Sequence, residues 1–239
     1  MTEWYANLPG KPRPDPISGK HLAAWPDDGP LNFGQSLGFC PLTYSELHMI
    51  AYHLPIAAIA GSEGPEIMLD LRRDRLVSPP TNVAGEWKMH YLPMALRLLP
   101  FNATASGKEE RLLDLHIGEN KARSPENQAS LKRLLVRFAQ GRKRLTTSAR
   151  ILVEEGFLTN DINPAIYEID QNALLQKTLQ RPHAQAFRLL MVMLFSQRNY
   201  VTTQRFSAFM LHDSPSEIKE KKDGLDISKF LSSGSSIQF

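Results

Sequence analysis

Residues 124–156 read SPENQASLKRLLVRFAQGRKRLTTSARILVEEG, and the fold turns on this stretch because it spells one long amphipathic helix with legible ends. Ser124 can cap, Pro125 suits the first turn, and Glu126 favours the positive end of the helix dipole. Leu131, Leu135, Phe138, Leu145, Ala149 and Leu152 recur at spacings of three, four or seven, which lays an apolar stripe along one face. The helix is expected to run to about Glu155, locally weakened at Gly141 and ended by Gly156.

The rest of that helix is basic. Lys132, Arg133, Arg137, Arg142, Lys143, Arg144 and Arg150 occur with no acid between Glu126 and Glu154. Arg133, Arg137 and Arg144 share roughly one face, where they could present donors to phosphates, an acidic partner or an anionic membrane surface. The plainer reading is a solvated face balanced by acids elsewhere in the fold.

On the N-terminal side the pattern changes to strands. Ile56–Ala60 and Glu66–Leu71 flank the turn-rich Gly61-Ser62-Glu63-Gly64-Pro65, the layout of a hairpin with a five-residue connection. A short helix, Tyr44 to His53, precedes them and stops before Pro55. Trp87–Tyr91 is a third strand candidate, Met94–Leu99 is ambiguous, and Leu112–Ile117 has buried-strand character. On the C-terminal side, Ile166–Asp170 alternates like a short strand, and Asp170 can cap a helix from Gln171 to Gln180. Ala184–Asn199 is apolar almost all round, which suits a helix inside the fold or against another chain. The fold class is therefore α+β: a small, mostly antiparallel sheet packed against a long basic amphipathic helix and a C-terminal helical hairpin.

Three regions are expected. Residues 1–36 carry Pro9, Pro12, Pro14, Pro16, Pro26 and Pro30 and read as an extended arm over the surface. Trp4, Tyr5, Trp25 and Phe33 argue that this arm docks on the core or on a partner. Residues 37–212 form a single globular domain. Residues 213–239 are a charged spacer followed by Leu225, Ile227, Phe230, Leu231, Ile237 and Phe239, a tail able to dock unless it is simply disordered.

Composition excludes more than it assigns. A 239-residue chain with 42% hydrophobic and 22% charged residues is ordinary for a globular protein and needs no disulfide or metal staple. The lone Cys40 rules out an intramolecular disulfide and fits a reducing compartment. No window reaches the roughly 18 apolar residues of a membrane helix, and the first residues lack the order of a cleaved signal, so a cytoplasmic location is expected. The seven histidines form no pair at metal spacing, and there is no glycine-rich phosphate loop or GxSxG elbow. No catalytic, cofactor-binding or metal-ligating residue is assigned, and no cofactor is expected. Net charge is only +3, and no nucleic-acid motif accompanies the basic helix, so nucleic acid is not the expected partner.

The blocks Cys40-Pro41-Leu42, His53-Leu54-Pro55-Ile56 and Trp87-Lys88-Met89-His90-Tyr91-Leu92-Pro93, with Arg97 and Leu99-Pro100-Phe101, together resemble the SapC family of bacterial proteins. Gly156-Phe157-Leu158 and Tyr167-Glu168-Ile169-Asp170 extend the resemblance, which spans about residues 38–210. The family is named for an association with paracrystalline surface layers and has no established catalytic residues to carry over. The resemblance implies a bacterial accessory role, either in the cytoplasm or by a signal-independent export route using the C-terminal apolar peptide.

The expected function is that of a non-enzymatic accessory or assembly protein whose partner is another protein. Two alternatives stand beside it. One is an enzyme, or an enzyme's accessory subunit, with a site assembled from scattered residues such as His90, Tyr91, Arg97 and Asp114. The other is an anionic-surface binder through the basic helix 131–150. The sequence leaves the oligomeric state open.

Overall fold

The computed structural model describes residues 4–8, 10, 12–26, 37–72, 76, 80–82, 86–89, 91–104, 106–112, 120–177 and 183–212. The chain divides into two compact units, Met1–Val201 and Thr202–Phe239. In the second unit the described residues, 202–212, are helical.

Strands and helices alternate irregularly along the first unit, as the α+β reading requires. The arm contributes a 3-10 turn, Trp4–Asn7, then β1 (Pro14–Pro16), α1 (Gly19–Ala23) and β2 (Ala24–Pro26). Next come β3 (Phe39–Pro41), a 3-10 turn at Tyr44–Glu46 and α2 (Leu47–Ala51). The hairpin strands are β4 (Ile56–Gly61) and β5 (Gly64–Asp70). A short α3 (Met94–Arg97) leads into β6 (Phe101–Ala103), β7 (Glu109–Leu112) and β8 (Asn120–Ala122). The long α4 (Pro125–Glu154) is followed by β9 (Leu158–Thr159), β10 (Ile166–Ile169), α5 (Gln171–Gln176) and α6 (Ala184–His212).

Among the described residues the strands form not one sheet but three, and every pairing is antiparallel. The largest has the order β3-β5-β4-β10-β9, a second is β1-β7-β6, and a third pairs β2 with β8. Pairing in the hairpin continues to Gly61 opposite Gly64, so Ser62 and Glu63 alone make the turn instead of the five residues that composition suggested. Gly64 permits this with φ of 121°, a value L side chains rarely adopt. Among its described residues, 87–89 and 91, the strand candidate Trp87–Tyr91 forms no strand. It holds one isolated bridge, Thr81 to Trp87, and the Trp87 indole N–H instead donates to the Tyr91 carbonyl at 2.9 Å. At the predicted strand Leu112–Ile117, the observed β7 ends at Leu112, and residues 113–117 lie outside the described ones.

Helix α4 has the predicted ends. The Ser124 hydroxyl accepts from the Asn127 amide at 3.3 Å. At the other end Gly156 takes φ of 71°, and the amides of Gly156 and Phe157 bond the carbonyls of Val153 and Leu152 at 2.9 and 2.8 Å. That is a Schellman stop, with Phe157 buried beyond it. All six residues of the apolar stripe are buried. The Asp170 carboxylate caps α5 through the amides of Asn172 and Ala173, at 2.8 and 3.2 Å.

Trp4, Tyr5 and Leu8 are buried in the same core as Leu135 and Phe138, and β1 and β2 pair with β7 and β8. The arm's described parts therefore fill the core and pair with two further strands, in addition to running along the surface. Residues 27–36, and the expected tail at 213–239, lie outside the described residues.

Candidate functional site

Three places in the first unit carry side chains that packing alone does not account for. The first is a cavity of about 210 Å³. The β4–β5 hairpin supplies Gly61, Ser62 and Glu66, the β6–β7 segment supplies Asn102 and Lys108, and the arm supplies Trp4 and Tyr5. Arg142 of α4 completes the wall.

Arg142 sits four residues beyond Phe138 and seven beyond Leu135, so helical spacing puts it on the apolar stripe and hence inside. There its guanidinium donates to Glu66 Oε2 at 2.7 Å and to the Ala103 carbonyl at 3.0 Å, tying α4 to β5 and β6. Trp4 Nε1, a donor, and Asn102 Oδ1, an acceptor, both on residues of this wall, are buried without a hydrogen bond. Trp4 is 6% exposed and Asn102 2%. Unmet buried groups of this kind are uncommon in native folds and call for an explanation.

A second cluster centres on Glu46, which sequence reading did not single out. Its Oε1 accepts from the Tyr91 hydroxyl and from the Met94 amide, both at 2.6 Å, and its Oε2 accepts from the Thr43 amide at 3.0 Å. Arg97 donates to the Tyr91 oxygen at 3.1 Å and lies over the Tyr91 ring. Of the four scattered candidates, Tyr91 and Arg97 thus meet, while His90 and Asp114 lie outside the described residues. Burial, then the bond and charge of Glu46, push the Tyr91 hydroxyl well above the usual tyrosine range. A phenol held protonated against a buried carboxylate is a joint between loops, and its proton is not poised for transfer. The only local signal for Glu46 was Thr43 three residues before it, the spacing of a capping box.

The third place is the exterior of the two long helices. Arg133, Arg137 and Arg144 are all exposed, and among the described residues none makes a hydrogen bond or ion pair. The basic helix is less uniform than its sequence, however, because Arg142 is turned inward and Arg150 Nη2 donates to the Glu63 carbonyl in the hairpin turn at 2.5 Å. On α6, Ala186, Leu189, Leu190, Val192 and Met193 are buried, while Phe187, Met191 and Phe195 are 50%, 47% and 43% exposed. These three follow one another at four-residue intervals, and Phe195 meets the exposed Tyr52 edge-on at 5.0 Å between ring centres. The helix that reads as apolar all round thus buries one side and leaves an aromatic and methionine stripe uncovered.

Among the described residues no cluster of three metal-ligating side chains occurs, and no helix is long and apolar enough to cross a membrane. Compared with protein-family models, with curated proteins and with solved structures, the chain matches none.

Proposed function

We propose that this chain is a non-enzymatic accessory or assembly protein that binds another protein through the exposed stripe of α6. The observation that carries this is the row Phe187, Met191 and Phe195, extended by Tyr52, all exposed. Large apolar side chains grouped at helical spacing on a surface are typical of a partner's footprint. The accessory role is also what the SapC resemblance of the sequence implies.

A second reading rests on a different observation, the unpartnered row Arg133, Arg137 and Arg144, which suits an anionic surface. One experiment separates the two. The full chain, the variant F187S/M191S and the variant R133E/R137E/R144E are each used for affinity capture from the source cells and for sedimentation with vesicles of anionic lipid. Partner capture lost only in F187S/M191S, with an unchanged melting temperature, is the expected result. Capture unaffected by F187S/M191S overturns the protein-binding reading. Vesicle binding that disappears on arginine reversal establishes the second reading, and vesicle binding equal in all three chains eliminates it.

A further inference from the structure

Helix α6 has no acidic residue from Ala184 to His212, and its basic residues up to Val201 are Arg188 and Arg198, both exposed. Helical spacing places Arg198 three residues beyond Phe195, at the end of the apolar stripe, and Arg188 beside Phe187 on its flank. The adjoining α2 has no acid either, and Glu46 just before it is buried and already bonded to Thr43, Tyr91 and Met94. The two helices therefore show an apolar surface edged by positive charge, with no exposed acid of their own to balance it.

Arg188 is held in position on this edge. Its Nε donates to His48 Nε2 at 2.6 Å, and its guanidinium lies over the Tyr44 ring, 5.4 Å from the centroid. Among the described residues its two terminal nitrogens have no hydrogen-bond partner. A guanidinium fixed along one edge and stacked on a ring gives up little freedom when a carboxylate takes its other edge. We propose that the partner's docking segment is an acidic amphipathic helix, whose apolar face covers Phe187, Met191, Phe195 and Tyr52 while a carboxylate on its flank pairs with Arg188. This rests on the reading of the α6 stripe as a protein-binding surface and adds the chemistry of what binds there.

Other occupants suit the surface less well. A second copy would bring its own Arg188 and Arg198 to the interface, with no acid from α2 or α6 of either chain to receive them. Anionic membranes are gripped by clusters of about four to eight basic residues, and this face has two arginines. An extended peptide gains its affinity from the free backbone groups of a sheet edge, whereas the backbones of α2 and α6 are paired within their own helices. A helix arrives with its backbone already satisfied. The stripe from Phe187 to Phe195 runs about 12 Å along the axis, the length of roughly two turns of such a helix.

The test uses three fluorescent peptides of about 18 residues, long enough to hold a helix. The first carries leucine at i, i+4 and i+7 with glutamate on the flanks, the second has lysine for every glutamate, and the third has serine for every leucine. Anisotropy titration of the full chain should give saturable binding of the first, about tenfold weaker binding of the second, and none of the third. R188E should invert the preference between the first two, and R188K, which keeps the charge but loses the planar fork, should weaken binding of the first. R133E/R137E/R144E should leave the preference intact, which separates this face from the general positive charge of the chain. F187S/M191S should abolish binding at an unchanged melting temperature, since both positions are exposed. Equal affinity for the first two peptides, binding of neither, or an unaltered preference in R188E overturns the proposal. Loss of cellular partner capture in F187S/M191S would still uphold the protein-binding reading in that event. Self-association of the chain, or sedimentation with anionic vesicles, that F187S/M191S removes would assign the stripe to a second copy or to lipid and overturn the proposal as well.

Discussion

At Tyr91 a single hydroxyl joins the segment 91–97 to the Tyr44–Glu46 turn, and its protonation should be readable in the stability of the whole unit. It donates to Glu46 and accepts from Arg97, and burial with the Glu46 charge holds its proton far more tightly than in an unfolded chain. The folded pKa is raised, so the contribution is fully present below the unfolded value near 10 and is lost as pH climbs beyond it. Above about pH 10 the unfolded chain releases this proton while the folded one keeps it, and stability falls. Urea unfolding between pH 8 and pH 11 should therefore show a steeper alkaline decline in the wild type than in Y91F. Equal slopes would contradict the assignment. Sequence reading flagged Tyr91 and Arg97 but not Glu46, since a lone glutamate in a short helix gives no sign that the distant 91–94 segment will fold over it. Glu66 and Asp70 were visible only as acids on strands. Tertiary contact pairs Glu66 with Arg142, and Asp70 is bound in bidentate fashion by Arg72 at 2.8 and 2.6 Å.

Among the elements, α4 shows how one glycine sets the distance between a helix and its neighbour. From sequence Gly141 reads as a weak point, because glycine costs a helix about 1 kcal/mol relative to alanine. In the fold it is buried against the Thr43–Tyr44 turn, where an added Cβ would overlap Thr43 Oγ1 and lie 3.1 Å from the Tyr44 amide nitrogen. Thr43 is itself buried and its amide is bonded to Glu46, so it has little freedom to withdraw. Overpacking of about 1–3 kcal/mol then outweighs the propensity gain. G141A should lower stability by about 1–2 kcal/mol in denaturant titration, and a stabilised variant would show that the turn yields freely. The same helix illustrates what periodicity could and could not reveal. Its stripe and both ends follow from local pattern, as does the inward position of Arg142. The Glu66 that receives Arg142 is 76 residues away, beyond the reach of any local rule.

For the molecule as a whole, Cys40 reports on cooperativity. It lies on β3 at the centre of the core, fully buried, and burial followed by the nearby Glu46 carboxylate pushes its thiol well above the ordinary range. Both effects suppress the reactive thiolate. Modification by a thiol-specific reagent should therefore be slow in native buffer and should accelerate with urea in step with global unfolding. Rapid labelling without denaturant would mean that β3 opens on its own. The sequence by itself determined the α+β class, the ends and buried stripe of α4, the cap of α5 and the location of the hairpin, because these depend on periodicity and on residues within a turn or two of each other. Only the tertiary structure decided that the proline-rich arm helps fill the core, that the strands divide among three sheets and that α6 keeps a stripe uncovered. It alone brought Trp4, Glu66, Asn102 and Arg142 around one cavity. Those outcomes depend on which surfaces exclude water together, and contacts between distant segments leave no periodic trace in the chain.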